Sequence, residues 1–260
     1  MHYIDIHGHY AWDVDDGIET REDAVRALKI AREEHITAVV ATPHVIAGRH
    51  TKDDIDQIKD RISELKKEGK KLNIEVREGC ELFLNQDTTG ALENHLFIPI
   101  EDTRYLLCEF DVRKELSDDE REVEDLLYEI ELKGYTPIIA HVERYFKDRI
   151  DLDRVREWKE NGYIIQVNST SLIGVHGKTC QRNAYALIDE GLAHVIASDT
   201  HRCNGHRIPN LDRVSQVLSK KYDYETVKKL LCDNPQHIVN DEGIETIRVK
   251  RTFMKKIFGR

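Results

Sequence analysis

Seven short apolar runs recur along the chain, and segments with the spacing of amphipathic helices separate most of them. The runs are Tyr3–Ile6, Ala38–His44, Ile74–Leu82, Tyr105–Phe110, Thr136–Arg144, Tyr163–Asn168 and Ala193–His201. Strands that are buried on both faces read as continuous apolar runs, so this alternation predicts an α/β fold built on a parallel sheet. The pattern fits a closed barrel and an open doubly wound sheet equally well.

The segments between the runs carry helix signals. The predicted helices are 21–34, 53–67, 118–133, 152–161, 179–190, 211–218 and 224–231. Gly134 and Gly191 each follow one of them, at the position where glycine commonly ends a helix. No stretch rich in proline, glycine or serine divides the chain, so we expect one domain over residues 1–243, followed by a tail over residues 244–260.

Composition narrows the function classes. The 260 residues include 39 Lys plus Arg and 49 Asp plus Glu, a net charge of −10. This acidic balance argues against a nucleic-acid-binding surface, which needs a basic face. No membrane span and no signal peptide are visible, and five cysteines without a Cys-x-x-Cys pair are consistent with free thiols in a reducing compartment. We therefore expect a cytoplasmic protein.

Six of the seven runs place a metal-type ligand at their carboxyl end. With Asp16, which follows the first run, the nine candidate ligands are His7, His9, Asp16, His44, Glu81, Glu109, His141, Asp199 and His201. His7 and His9 are two residues apart in a strand, so their imidazoles face the same side. Because the carboxyl ends of parallel strands meet on one face, we expect these side chains to form one site.

Five histidines and four carboxylates are too many ligands for one ion. Structural zinc takes about four ligands, and an octahedral site takes about six including water. The ligand count therefore predicts two or three divalent ions that share a bridging carboxylate. A single buried histidine is usually structural, but that explanation does not account for ligands at six strand ends.

Eight short motifs between Tyr3 and Asp241 carry a family resemblance. They are Asp5-Ile-His-Gly-His9, Asp13-Val-Asp-Asp-Gly17, Thr42-Pro-His44, Gly79-Cys-Glu81, Glu109-Phe110, Ala140-His-Val-Glu-Arg144, Ala197-Ser-Asp-Thr-His201 and Asp233-Asn-Pro235. Through them the chain resembles the polymerase-and-histidinol-phosphatase (PHP) metalloenzymes. More closely, it resembles the bacterial manganese-dependent protein-tyrosine phosphatases of capsule and exopolysaccharide loci. The resemblance implies a distorted seven-stranded (β/α)7 barrel, and so decides between the two folds that the pattern leaves open.

The resemblance also implies how the ligands are shared among Mn²⁺ ions, with Fe, Zn, Mg or Co as alternatives. One ion would take His7, His9, Glu81 and Asp199; a second would take Glu81, Glu109 and His141; a third would take Asp16, His44 and His201. Glu81 would bridge the first two. Arg144 and Arg207 match the two arginines of the family's site, where a guanidinium fork can hold phosphoryl oxygens.

The implied reaction is hydrolysis of phosphotyrosine by a metal-bridging hydroxide, since a bound ion lowers the pKa of water from ~15.7 to ~7. The implied substrate is a membrane-associated bacterial tyrosine kinase that regulates capsule or exopolysaccharide synthesis. A small-molecule phosphomonoesterase such as histidinol phosphatase would use the same metals and stays open as an alternative. A non-catalytic metal-bound regulatory module is disfavoured because every ligand position is filled, and a nuclease of the superfamily is disfavoured by the acidic balance.

A cysteine-based phosphatase mechanism is excluded by spacing. It requires Cys-x5-Arg, a thiolate beside a phosphate-binding loop that arginine closes. The residues six positions after the five cysteines are Gln86, Lys114, Ala186, Pro209 and Ile238. None of them is arginine.

The carboxyl-terminal segment departs from the strand-and-helix pattern. From Thr246 to Arg260 it has six basic residues and no acid, and four apolar residues fall at helical spacing: Phe253, Met254, Ile257 and Phe258. This predicts a basic amphipathic tail that packs on the domain, stays disordered, or contacts an anionic membrane surface peripherally. His50 and His206 lie in loops on the expected active face and are candidates for substrate contact.

Overall fold

The computed structural model describes residues 1–116 and 120–251. The strands of this part are β1 (Tyr3–Gly8), β2 (Ile36–Ala41), β3 (His44–Ile46), β4 (Glu75–Glu78), β5 (Glu81–Phe83), β6 (Tyr105–Glu109), β7 (Thr136–Ile139), β8 (Ile164–Asn168) and β9 (Val195–Ala197). Their ladders are all parallel. They form a three-stranded sheet in the order β1-β2-β4 and a six-stranded sheet in the order β3-β5-β6-β7-β8-β9.

Two of the predicted strands, over 38–44 and 74–82, are each interrupted in the structure. β2 stops before Pro43, which has no N–H group to give to a ladder. β4 stops before Cys80, whose N–H donates to the Ile98 carbonyl (2.9 Å) instead of to a neighbouring strand. Each interrupted strand resumes in the second sheet after a gap of two residues, and so it joins the two sheets like one bent strand.

The two sheets close into a ring at the carboxyl end of β1. The Asp199 N–H donates to the His7 carbonyl (2.9 Å), and the His9 N–H donates to the Thr200 carbonyl (2.7 Å). These bonds connect β1 with the segment that follows β9, where Gly8 and Thr200 form a parallel bridge. The ring therefore contains seven strands, two of them bent, and the distorted (β/α)7 barrel implied by the resemblance is confirmed.

Helices surround the barrel, as the predicted alternation requires. They are α1 (Arg21–Glu33), α2 (Lys52–Leu72), α3 (Thr88–Glu93), α4 (Glu120–Leu132), α5 (Leu152–Glu160), α6 (Ser169–Leu172), α7 (Gly177–Asp189), α8 (Leu211–Leu218), α9 (Tyr224–Lys228) and α10 (Asn234–Val239). Helix α2 runs to Leu72 rather than to the predicted Lys67, and ends where Asn73 takes a left-handed conformation. No helix in the described ranges is long and apolar enough to cross a membrane.

Alternate residues of the strands fill the inside of the barrel. Ile4 and Ile6 of β1 and Ala38 and Val40 of β2 belong to one buried apolar cluster with residues of β6 to β9 and with Ile238 of α10. This two-residue period is the one expected for side chains that point inward from a barrel strand. The apolar filling leaves the polar site at the carboxyl ends of the strands.

The described part of the predicted tail lies against the barrel. Ile247 is 4% exposed and belongs to the main core, and Arg251 forms an ion pair with Asp189 (3.0 Å). Residues 252–260, with the four apolar positions of the predicted stripe, lie outside the described residues. The boundary at residue 243 and the amphipathic character of the tail remain predictions.

A buried histidine connects β8 to the start of β9. The His194 N–H donates to the Ile165 carbonyl, and His194 Nδ1 accepts the Ile165 N–H, each at 2.9 Å. Burial, together with nearby Lys159, lowers the pKa of His194 to about 3. His194 is therefore neutral in the fold and gains a proton more readily in the unfolded chain.

We expect this histidine to destabilise the protein as the pH falls. Because the unfolded chain binds the extra proton below its pKa of about 6.5, lowering the pH from 7 to 5 should cost about 2 kcal/mol of unfolding free energy. The His194→Gln variant lacks this titration, so its unfolding free energy should fall less than that of the parent between pH 7 and pH 5. At pH 5 the variant should be as stable as the parent or more stable. Urea unfolding at several pH values measures the difference.

The matched control is His2→Gln, which changes an exposed histidine at the amino terminus. It should follow the parent at every pH. If the parent and His194→Gln had the same pH dependence of stability, the conclusion that His194 is neutral in the folded protein would be contradicted.

Candidate metal centre

The nine predicted ligands converge at the carboxyl end of the barrel, around one cavity of about 540 Å³. Seven of them line it: Asp16, His44, Glu81, Glu109, His141, Asp199 and His201. His7 and His9 are fully buried and reach the same carboxylates. His44 and Glu81 begin β3 and β5, just after the two bends, and each other ligand lies at the end of a strand or in the segment that follows it. This is why residues far apart in sequence meet here.

The Glu81 carboxylate is the most heavily shared group. Its Oε2 atom lies 3.1 Å from His7 Nε2, 3.2 Å from His9 Nε2 and 3.3 Å from His44 Nδ1. Its Oε1 atom lies 2.9 Å from His141 Nε2. Within the described residues, Glu81 Oε2 is buried and has no hydrogen-bond partner of acceptable geometry. A buried oxygen that faces three imidazole nitrogens without bonding them fits the position of a shared metal ligand.

Asp199 joins the two sides of the cluster. Its Oδ1 atom lies 3.5 Å from both His7 Nε2 and His9 Nε2, and 3.2 Å from His201 Nδ1. On the outer side, Asp16 Oδ1 lies 3.5 Å from His201 Nε2.

His44 uses both ring nitrogens. Its Nε2 atom lies 3.4 Å from Asp16 Oδ1, and its Nδ1 atom lies 3.0 Å from Glu109 Oε1. His44 therefore contacts both the exposed Asp16 carboxylate and the buried Glu109 carboxylate.

Three groups of donor atoms are compact enough to hold an ion. They are His9, Asp16, His44 and His201; His7, His9 and Glu81; and His44, Glu81 and Glu109. These groups share residues, as a bridged polynuclear site requires. They overlap the predicted ligand sets but divide His9 and His44 differently, so the assignment of each residue to an ion remains a prediction. Imidazole and carboxylate donors together suit Mn, Fe or Zn.

The buried charges shift one another's proton affinities. For Glu109, burial and then the neighbouring Glu81 raise the carboxyl pKa to about 7. For His7, burial lowers the pKa, but Glu81 and Asp199 outweigh it and raise the value to about 9. For His141, burial and the Arg144 guanidinium lower the pKa to about 4. The cluster thus attracts positive charge, which a divalent cation can supply in place of protons.

Two of the candidate ligands have an unusual backbone. His141 (φ 35°) and Asp199 (φ 53°) both lie in the left-handed region, which residues other than glycine rarely adopt. Such conformations cost on the order of 1–3 kcal/mol each and persist where the surroundings fix them. At His141 the chain turns into a short 3₁₀ helix, Val142–Arg144, which brings Arg144 to the cavity.

Both predicted arginines line the cavity. Arg207 Nη2 lies 2.9 Å from each carboxylate oxygen of Asp199, and Arg144 Nη1 lies 3.5 Å from Asp199 Oδ2. The Arg207 carbonyl accepts N–H bonds from His201 (2.9 Å) and Arg202 (3.0 Å), so a closed loop holds Arg207 beside the cluster.

The two loop histidines, His50 and His206, differ in their position relative to the cavity. His50 lines the cavity, and its Nδ1 accepts the Ile46 N–H (2.9 Å). His206 is exposed and is not among the residues that line the cavity.

Three further residues contact the candidate ligands and were not predicted from the sequence. Asp15 Oδ2 lies 2.6 Å from His9 Nδ1 and accepts the His44 N–H (2.9 Å). Gln166 Oε1 lies 3.1 Å from His7 Nδ1, and Asn168 Nδ2 donates to Asp199 Oδ2 (2.7 Å). Gln166 and Asn168 have a sequence signal, because they are two polar residues, two positions apart, in the otherwise apolar strand β8. This is the only predicted strand without a candidate ligand.

The fold and the cluster together define an α/β-barrel protein with candidate sites for divalent metal ions. The chain belongs to the CpsB/CapC family of capsular polysaccharide synthesis, whose model matches residues 3–240. The resemblance predicted from the eight motifs is thereby confirmed.

Individual relatives agree with this membership. CapC of Staphylococcus aureus is 32% identical over 258 residues, which cover 98% of this chain and 99% of that protein. The tyrosine-protein phosphatase CpsB of Streptococcus pneumoniae is 29% identical and covers 93% of this chain and 100% of its own.

Solved structures agree as well. The similar structure described for YwqE of Bacillus subtilis and CpsB of S. pneumoniae, metal-dependent tyrosine phosphatases, has a TM-score of 0.79 at 27% identity. It covers 96% of this chain and 99% of the matched chain. The phosphotriesterase homology protein of Escherichia coli shares the fold at 12% identity, with a TM-score of 0.61 and coverage of 92% of this chain and 98% of that one.

We expect Asp15 to fix the orientation of His9. Although burial favours its neutral form, the pair with His9 holds the pKa of Asp15 at about 2, so the carboxylate is charged. Removing such a partner typically weakens metal binding about 10- to 100-fold. Competition with a chromogenic chelator should therefore show this loss for Asp15→Ala. The exposed Glu19→Ala serves as control, and equal metal affinity in both variants would contradict the orienting role.

Proposed function

We propose that this protein is a metal-dependent protein-tyrosine phosphatase. The observation that carries the proposal is the Glu81 carboxylate, buried among four imidazoles, beside two arginines that line the same cavity. Membership in the CpsB/CapC family and the phosphatases among its relatives support the same activity.

The metal ions would be held by the nine clustered residues, with Glu81 as the bridging ligand. We propose two or three ions, with Mn²⁺ as the native metal. When bound, such ions supply a hydroxide nucleophile near neutral pH and neutralise negative charge on the phosphoryl group. Asp15, Gln166 and Asn168 hold the ligands in position through the contacts described above.

The arginines would bind the phosphoryl group. Each guanidinium presents planar N–H donors that can form charge-assisted bonds with phosphoryl oxygens. In the free protein both contact Asp199, which keeps them at the cavity wall. The leaving phenolate of tyrosine has a pKa of about 10, so it needs less protonation assistance than an alkoxide.

The two buried cysteines, Cys80 and Cys108, are unsuited to act as nucleophiles. Burial raises the pKa of Cys80 to about 12. Burial also raises the pKa of Cys108 well above its ordinary value. Both are therefore thiols at neutral pH, and the thiolate is the reactive form.

The physiological substrate we propose is a phosphotyrosine protein of capsule or exopolysaccharide synthesis, with a membrane-associated bacterial tyrosine kinase as the first candidate. Cytoplasmic location and peripheral membrane contact through the tail over residues 244–260 remain predictions that accompany this proposal. The family description supports a role in capsular polysaccharide synthesis.

Removal of divalent metal should abolish phosphate release from a phosphotyrosine peptide. Prolonged chelation followed by gel filtration gives the metal-free protein, and added Mn²⁺ should restore turnover because the ions supply the nucleophile. Circular dichroism before and after chelation checks that the fold survives. Full activity in excess chelator would refute the proposal.

Arg144→Ala should separate substrate binding from metal binding. Hydrogen bonds to charged groups contribute about 1.5–3 kcal/mol, so inhibition by inorganic phosphate should weaken at least about 10-fold. Metal content, measured by elemental analysis, should stay at the parent level. Arg149→Ala, at an exposed loop position, is the control, and loss of metal from Arg144→Ala alone would show that its role is structural.

A further inference from the structure

A second cavity of about 520 Å³ adjoins the catalytic cavity. The two share three wall residues, Phe83, Asp111 and Arg113. Phe83 ends β5, the strand that begins with Glu81, and its side chain is partly exposed. The phosphoryl chemistry proposed above uses only the first cavity, so the second has no assigned role.

The second cavity has an apolar floor. Leu84, Phe110, Leu116 and Val123 line it and are each at most 7% exposed, and the partly buried Leu126 of α4 completes the wall. A leucine or phenylalanine side chain placed there would lose apolar surface to water, which favours binding.

Exposed cations stand at the rim of both cavities, beside the partly buried acids Asp111 and Glu115. The Arg113 side chain is 83% exposed although its Nε donates to Asp111 Oδ1 (2.8 Å). Lys114 is exposed at the second cavity and Arg49 at the first, and within the described ranges neither side chain has an ion-pair partner. In a chain of net charge −10, the exposed side chains of Arg49, Arg113 and Lys114 at this mouth favour an acidic occupant.

We propose that the second cavity binds an apolar side chain that flanks the phosphotyrosine in an extended, acidic segment of the substrate protein. This inference rests on the proposed phosphatase function and names the substrate class of the same site. Side chains two residues apart in an extended peptide project to the same side, about 7 Å apart. One shared wall can therefore separate the phosphotyrosine from its neighbour in the second cavity.

The first test compares substrates on the full-length, Mn²⁺-loaded protein. They are p-nitrophenyl phosphate, an acidic phosphotyrosine peptide with leucine within two positions on each side, and the same peptide with alanine there. Because methylene groups in an apolar pocket discriminate about 10- to 200-fold, the leucine peptide should have at least about 10-fold higher kcat/KM.

Two variants locate the effect. Leu126→Asp puts a charge into the apolar wall and should bring the leucine-to-alanine ratio close to one, while turnover of p-nitrophenyl phosphate stays within about 2-fold of the parent. Lys114→Glu changes an exposed side chain, so it should fold even if Leu126→Asp does not. It should lower kcat/KM for both peptides at least about 3-fold at low salt, and the loss should shrink in ~0.5 M NaCl.

The matched control is Lys29→Glu, the same charge reversal at an exposed position of α1, which should leave all three substrates unchanged. Equal turnover of the leucine and alanine peptides by the parent would overturn the inference and leave the phosphatase function standing. Unchanged kcat/KM for both peptides in Lys114→Glu would also overturn the inference and leave the phosphatase function standing. Failure to hydrolyse any phosphotyrosine peptide, with p-nitrophenyl phosphate still turned over, would refute the proposed function and the inference together.

Discussion

The structure depends on holding several carboxylates in one buried volume. Glu81, Glu109 and Asp199 are at most 7% exposed, and like charges this close in a low-dielectric site repel each other strongly. The imidazoles of His7 and His44 and the guanidiniums of Arg144 and Arg207 offset that repulsion in the free protein. Divalent cations would offset it more completely, and these carboxylates and imidazoles are the ligands proposed for them.

Seven strands must end in register for this cluster to form. The apolar filling of the barrel sets the spacing of the strands, and the hydrogen bonds between His7, His9 and the 199–200 segment bring the first strand beside the last. A ring is needed because His7 and His9 at the end of β1 and His201 after β9 all face Asp199. In an open sheet with these strands at opposite edges, the two ligand groups would not meet.

Residues close together in the sequence contact different groups in the site. Asp15 orients His9, whereas the adjacent Asp16 faces His44 and His201. His141 approaches Glu81, whereas Arg144, one turn later, reaches Asp199. The short 3₁₀ helix between His141 and Arg144 makes this possible, because it turns the chain sharply at the left-handed His141. The proposed metal ligand His141 and the proposed phosphate-binding Arg144 thus come from one motif whose backbone conformation is uncommon.

The sequence by itself determined the alternation of strands and helices, the nine polar residues at the strand ends and the exclusion of a Cys-x5-Arg mechanism, because periodicity and residue type carry those. Only the tertiary structure decided that β2 and β4 bend at Pro43 and Gly79-Cys80, that Asp15 and Gln166 orient histidines, and that a second cavity adjoins the first. These features depend on contacts between residues far apart in the chain. A one-dimensional pattern records which residues are polar, but not which of them meet.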